Sequence, residues 1–319
     1  MTKTAKFSVS EIPRLDGYVI IVTGGNSGIG FETTTQLARR GARVYIAARS
    51  ESRVQSAIKK LEAGPDKVDV RFLKLDLQDL QSIKTTVSDF LQKENRLDIL
   101  LNNAGIMATP YELTKDGYEA QWQTCFLGHH ALTLGLIPLL KSTAAQNPSV
   151  KDRVRIVNVS SDMAFHLGPK TINYADPNLS DLTGGLALVK RYSHCKQASI
   201  IAAKALNDRY QDQGITAYSL HPGVIRTNLQ TAGASASWFG ALTKFGMMIT
   251  SPMSVHDGAL TSLFCATSPQ AAKNPGWFYS PIAKLDHRAD KWLNNPEAMR
   301  KLWELANTQL KFNGFELNW

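Results

Sequence analysis

Cysteine is scarce in this chain: there are 3 in 319 residues, Cys125, Cys195 and Cys265, with no Cys-x-x-Cys spacing among them. That pattern argues against a disulfide framework and a zinc site, and makes a reducing compartment, the cytoplasm, the expected setting. Uninterrupted apolar runs are short. None reaches the ~18 residues of a membrane-spanning helix, and Met1 to Asp16 has no signal-peptide apolar stretch, so no integral membrane segment or N-terminal anchor is expected. Long charge runs are missing too. Lys+Arg 36 against Asp+Glu 27 gives a net charge of +9, yet basic residues cluster no further than pairs such as Arg39-Arg40 and Lys59-Lys60. Without a helix-turn-helix, a finger or an aromatic-interleaved strand pair beside them, nucleic acid is not the expected partner. Histidines 129, 130, 166, 194, 221, 256 and 287 form no ligand cluster, so no metal is expected. With 43% hydrophobic residues and aperiodic glycine, disordered and collagen-like classes also fall away.

What is present is a repeating alternation. Apolar runs at 18–23, 43–48, 70–75, 97–101, 153–159 and 215–220 are continuous rather than alternating, as in strands buried on both faces. Helix-like spacing fills 30–40, 51–63, 79–94, 114–141 and 190–213, with Gly41 and Gly64 standing where helix ends favour a left-handed residue. Right-handed crossovers then give an α/β fold, a doubly wound parallel sheet with helices on both faces. Beyond Pro222 a helix is expected at 252–267, a short strand at 277–280 and a closing helix near 296–311. No linker or repeat divides the chain, so 1–319 reads as a single domain. Its cofactor-binding core covers about 17–222, and a substrate lid with C-terminal helices covers about 223–319.

Directly after the first strand comes Thr23-Gly24-Gly25-Asn26-Ser27-Gly28-Ile29-Gly30, then a helix. Glycines there let the backbone approach a pyrophosphate, which the unpaired N–H groups and positive end of the helix can hold. Ile29 stands where a nucleophile elbow around Ser27 would need glycine. The second strand ends Ala47-Ala48-Arg49-Ser50 without the acid that meets a free ribose 2′-hydroxyl. Arg49, Ser50 and Arg53 supply charge and donors for a 2′-phosphate, so NADP(H) is the expected cofactor.

These features, with Asp76-Leu77, Asn102-Asn103-Ala104-Gly105, Asn158-Val159-Ser160-Ser161, Tyr192-x-x-x-Lys196 and Pro222-Gly223, each at the end of a strand or on the helix that follows, resemble the short-chain dehydrogenase/reductase family of the classical type. The likeness runs from about Gly17 to Thr227. Tyr192 lies 31 residues after Ser161. That spacing, Phe126-Leu127-Gly128-His129 and Arg300-Lys301-Leu302-Trp303-Glu304 resemble the retinol-dehydrogenase-like branch. The resemblance implies a Rossmann-type fold and a cofactor held by Gly24, Asn26, Ser27, Gly28, Ile29, Gly30, Arg49, Ser50, Asp76, Leu77, Asn103, Ala104, Gly105, Tyr192, Lys196, Pro222, Gly223, Ile225 and Thr227. By the same resemblance Asp76 meets the adenine, Asn102 to Gly105 support the adenosine side, and Thr227 lies near the carboxamide. It also implies a homodimer paired through the helices at 114–141 and 190–213.

Carbonyl reduction needs a hydride at carbon and a proton at oxygen; the nicotinamide carries the hydride and the protein supplies the proton. Tyr192 and Lys196, four residues apart on a helix, share one face. An ammonium about 4 Å from a phenol favours phenolate by about 4 kcal/mol at an effective dielectric near 20, which predicts a Tyr192 pKa below the ordinary value near 10. Tyr192 is thus expected to be the proton donor in reduction and the base in oxidation, with Lys196 as its partner. Ser161 is expected to bind the substrate oxygen, and the family resemblance, in which the second serine of such a pair is the catalytic one, puts it ahead of Ser160. Cys125 occupies the place where the family has an asparagine, offering a carbonyl but only a weak side-chain donor.

Trp238, Phe239, Phe245, Met247 and Met248 give the segment after Pro222-Gly223 large apolar surfaces, which favours a lipophilic ketone, aldehyde or alcohol. His166 and His194 are candidates for the pocket lining. The resemblance extends to tailoring reductases of microbial natural-product pathways. Two other readings stay open: a redox-neutral isomerase or dehydratase using the same acid-base pair, and an NADP(H)-sensing regulatory protein.

Overall fold

The computed structural model describes residues 7–147, 152–225 and 252–315. Eight strands form one sheet in the order β3-β2-β1-β4-β5-β6-β7-β8. They are β1 Val19–Thr23, β2 Arg43–Ala48, β3 Asp69–Lys74, β4 Ile99–Asn102, β5 Val154–Val159, β6 Ile215–Leu220, β7 Phe278–Ser280 and β8 Lys284–Leu285. All neighbours pair in parallel except β7 with β8. The antiparallel β8 was not expected, and two residues are too few to leave a periodic signal. Every residue of β1, β4 and β5 is buried, as strands covered on both faces require.

The main helices are α1 Gly28–Arg39, α2 Glu51–Glu62, α3 Leu80–Lys93, α4 Ala120–Trp122, α5 Gly128–Ala145, α6 Met163–His166 and α7 Ala187–Tyr210, followed by the C-terminal helices Val255–Thr267 and Pro296–Phe312. The expected helix at 114–141 starts later, at Ala120. Gly117 is left-handed (φ 84°) in a turn closed by the amide of Thr114 donating to the Tyr118 carbonyl. Glu119 then caps the new helix by accepting from Trp122 N at 2.9 Å. A π-helical turn, Gln123–Leu127, joins α4 to α5 and carries Cys125. Gly41 is left-handed (φ 99°) as expected, whereas Gly64 is not, because Pro65 follows it and favours extended backbone before it.

Chain order reverses at β1, which pairs with β2 on one side and β4 on the other. In an open parallel sheet the loops diverge there and leave a crevice at the carboxyl ends of the strands. α7 is almost wholly buried, and the helix Pro296–Phe312 lies against it. Trp303 of that helix packs edge-on against His130, with ring centroids 5.0 Å apart, and under the Arg209 guanidinium at 4.2 Å. The helix faces expected to pair two subunits are therefore largely covered within the chain itself. Among the described residues no helix is long and apolar enough to cross a membrane. Lid residues Trp238, Phe239, Phe245, Met247 and Met248, and Thr227, lie outside the described residues.

Candidate active site

The crevice is a cavity of about 610 Å³ running along the ends of β1, β2, β3, β4 and β5. Gly24, Asn26, Ser27, Gly28, Ile29, Gly30, Arg49, Ser50, Asp76, Leu77, Asn103, Ala104, Gly105, Tyr192, Lys196 and Pro222 line it. The expected residues of five loops and of the helix α7 thus lie along one cavity. Ile225 stands apart: it is buried, and a methyl group added at Gly258 would fall 2.1 Å from its side chain, so it packs beneath the helix Val255–Thr267 rather than facing the cavity. Gly223 and Ser161 do not line this cavity either. Gln78, Thr109 and Thr124 do, and as isolated polar residues in irregular or π-helical backbone they carried no motif.

The first loop is built for close approach. Gly24 (φ 66°) and Gly28 (φ 54°) are left-handed, and a Cβ on Gly30 would lie 2.4 Å from the Gly24 carbonyl oxygen. Ser27 starts α1 without bonding its amides through its side chain, so the first-turn N–H groups are left for an anion. Thr23 fastens the opposite wall: its Oγ1 accepts from the amides of Asn103 and Ala104, both at 2.9 Å, and lies 2.9 Å from Nε2 of His129. Asn102 donates to Asn158 Oδ1 at 2.9 Å, tying β4 to β5 at the same level.

At the end of β2, the walls carry Arg49 and Arg53. Arg39, Arg43 and Arg71 have carboxylate partners, but among the described residues Arg49 and Arg53 have none. Ser50 is engaged locally, accepting from Arg53 N as the cap of α2. A glycine cradle, free helix-start amides and two unpaired guanidinium groups suit a dinucleotide with an anionic ribose end, so the donor set fits the expected cofactor.

Tyr192 and Lys196 line the β5 end of the crevice, and Ser161 stands beside Tyr192 outside that lining. Lys196 Nζ donates to the Val159 carbonyl at 2.8 Å and lies 5.6 Å from the Tyr192 ring centroid. Ser160 is consumed by structure, its hydroxyl donating to the Lys196 carbonyl at 2.7 Å. Ser161 Oγ accepts from Met163 N at 3.3 Å and stands close enough to the Tyr192 phenol to pull its pKa down. The expected depression of the phenol is overturned. Burial pushes Tyr192 up to about 12, and Lys196 and Ser161 pull it down without prevailing. The reason is desolvation: a fully buried phenolate loses more hydration than an ammonium 5.6 Å away returns.

Cys125 lies beside this group. A Cβ on Gly105 would sit 3.4 Å from its sulfur and 3.6 Å from Lys196 Nζ. The thiol of Cys195 and the Lys196 charge lower its pKa. Its carbonyl accepts from Ser199 Oγ at 3.1 Å, and the same hydroxyl also reaches the Cys195 carbonyl at 3.0 Å. All three cysteines are free and buried. Of the pocket histidines, His194 is structural, stacked on Trp122 with centroids 4.9 Å apart and accepting from Asn173 N. His166 is exposed and bound to Asp162.

The short chain dehydrogenase family pattern matches residues 18–176. A short-chain dehydrogenase/reductase of Aspergillus calidoustus, drtF, is 37% identical over 309 residues, covering 94% of this chain and 96% of its own. Human retinol dehydrogenase 11 is 36% identical over 296 residues, covering 92% and 86%. The chain belongs to the short-chain dehydrogenase/reductase family. Within that family of oxidoreductases it falls in the retinol-dehydrogenase-like branch. A solved structure from Mycobacterium paratuberculosis matches with a TM-score of 0.71 at 29% identity, covering 96% of this chain and 98% of that one. Members of this family bind NAD(P), which gives the cavity its class of occupant.

Proposed function

We propose that this short-chain dehydrogenase/reductase is an NADP(H)-dependent enzyme that reduces a lipophilic ketone or aldehyde, or oxidises the matching alcohol. The observation that carries the reading is the convergence of the Ser161 hydroxyl, Tyr192 phenol and Lys196 ammonium at one end of a dinucleotide-sized cavity. When bound, the nicotinamide supplies the hydride. Ser161 holds the substrate oxygen, and Tyr192 hands its proton to that oxygen as negative charge develops. The high pKa of Tyr192 suits this direction, since the phenol is fully protonated at neutral pH. Lys196 stays cationic: burial pulls its pKa down, but the negative charge that Cys125 and Tyr192 carry once deprotonated outweighs it, so a positive charge waits beside the phenolate left after proton transfer.

NADP(H) is proposed over NAD(H) from unpaired Arg49 and Arg53 at the end of β2. The lipophilic substrate class rests on the apolar residues of the segment 224–250 and on the retinol dehydrogenases among the relatives. A single domain in a reducing, cytoplasmic setting and a tailoring role in natural-product assembly complete the reading; the latter rests on family resemblance.

The test is NADPH consumption with all-trans-retinaldehyde, decanal and a bicyclic ketone as acceptors. Turnover that disappears in Tyr192→Phe and Ser161→Ala is expected. Undiminished turnover in Tyr192→Phe overturns the mechanism. Product without NADPH consumption would make the protein a redox-neutral isomerase, and tight NADPH binding with no turnover would make it a sensor.

A further inference from the structure

Ser161 is followed by α6, a helix of four residues. One helical turn has almost no stability of its own, so where it sits is decided by what packs on it. Its Phe165 is stacked on Trp292 with centroids 4.9 Å apart and 15° between planes, and the guanidinium of Arg288 covers the Phe165 ring at 4.7 Å. A chain of charged contacts runs along the same edge. Ser280, at the end of β7, donates to Asp286, and Asp286 binds Arg288 at 2.6 Å. Arg288 Nη1 then reaches Oδ1 of Asp162 at 2.7 Å, while the other Asp162 oxygen holds His166 Nε2 at 2.7 Å, closing the turn onto itself. Asp162 is the residue immediately after Ser161, so both of its carboxylate oxygens are fixed one peptide from the hydroxyl that meets Tyr192.

We propose that Arg288, through Asp162, is a positioning residue for Ser161, a clamp from the C-terminal part of the chain that sets the serine hydroxyl against the phenol. The inference rests on Ser161 having the catalytic role given above. Arg288 touches neither the cofactor cavity nor Tyr192, and it acts only by fixing the turn that starts at Ser161. Its pairs are part-exposed, and such pairs add little to global stability, so their loss loosens the turn without unfolding the protein.

The experiment uses the full chain with NADPH and whichever of retinaldehyde or decanal the wild type reduces. Arg288→Met and Asp162→Asn are each expected to lower kcat about tenfold, with the KM for NADPH within about twofold of wild type. The double variant should be no slower than the worse single variant, because both substitutions cut one linkage. Hydrogen exchange of the amides from Asp162 to His166 should quicken in Arg288→Met while α7 amides stay as they were, a readout that needs no substrate. Arg300→Met, which removes an exposed pair with Glu304 on a remote helix, should change none of these. Unchanged kcat and exchange in Arg288→Met overturn the clamp. So does a parallel rise in NADPH KM and fall in Tm, which would mark a merely structural role. Full activity in Ser161→Ala would instead overturn the catalytic reading, and that result is read on a different variant.

Discussion

Replacing Lys196 by methionine tests how the buried acid is held in balance. The two charges that interact are the ammonium and the phenolate, 5.6 Å apart when measured to the ring centroid. At an effective dielectric near 20 their attraction is about 3 kcal/mol, a factor of roughly 100 in phenolate population. Tyr192 already stands at about 12 with the lysine present, so Lys196→Met moves it further from neutrality. In alcohol oxidation the active form is the phenolate, and its fraction rises tenfold per pH unit below the pKa. The wild-type log kcat at saturating NADP⁺ should therefore climb with unit slope through the alkaline range. The variant should run parallel and lower by roughly 30- to 100-fold, the smaller figure allowing for the stronger basicity of the phenolate that remains. The assay is the pH profile of kcat for oxidation of retinol or decanol, with thermal melts to show that the variant is folded. Coincident profiles, or a variant whose whole deficit lies in KM for NADP⁺, would refute the electrostatic argument and reduce Lys196 to a cofactor ligand.

Arg49→Ala should raise the KM for NADPH about 10- to 100-fold, since a charge-assisted contact to a phosphate is worth about 1.5–3 kcal/mol. NADH should be nearly unaffected, and equal effects on both cofactors would remove the 2′-phosphate assignment. Gly30→Ala places a carbon 2.4 Å from the Gly24 carbonyl oxygen and 2.5 Å from Asn103 Nδ2. It should weaken NADPH binding at least tenfold in a fluorescence titration, and wild-type affinity would show that the loop does not approach the cofactor. Burial, its largest cause, holds His129 at about 3 and His130 and His194 at about 4, against 6.5 for a free ring. Each native ring stays neutral where the unfolded chain takes up a proton, so stability is present above the unfolded value and is lost as pH falls from about 6.5 toward 4. Near pH 5 the loss is about 2 kcal/mol per ring, on the order of 6 kcal/mol for the three. Denaturant unfolding at pH 7.5 and 5 measures it, and equal stabilities would contradict neutral burial.

The sheet was legible because its central strands β1, β4 and β5 bury both faces, which writes an uninterrupted apolar run that no surface element would carry. The cavity wall was legible because backbone approach to a phosphate demands glycine at fixed places, and Gly24, Gly28 and Gly30 stand there. What failed to show were features decided by tertiary context. The late start of the helix at Ala120 depends on Gly117 and on Glu119 turning its carboxylate to Trp122 N, in a segment whose apolar spacing still reads as helix. The sign of the Tyr192 shift depends on how completely the ring is buried, which four-residue spacing does not encode. Ile225 follows the Pro222-Gly223 turn in sequence, but Gly258 opens a slot beneath the helix Val255–Thr267 and its side chain goes there instead.

These departures share a cause that bears on the chemistry. Tyr192, Lys196 and Cys125 are buried among helices that in turn lie under the C-terminal helix Pro296–Phe312, and burial penalises every charge in the group. A reductase gains from that arrangement, because its resting acid must be neutral and its spent form needs a cation at hand; a dehydrogenase working at neutral pH meets the penalty before it can begin. On the proposed mechanism, the packing around the helix, rather than the Tyr-x-x-x-Lys spacing, keeps the phenol protonated as carbonyl reduction requires. A reduction rate that stays flat from pH 6 to 8 while oxidation rises tenfold per unit is the asymmetry this packing demands, and equal pH slopes in the two directions would contradict it.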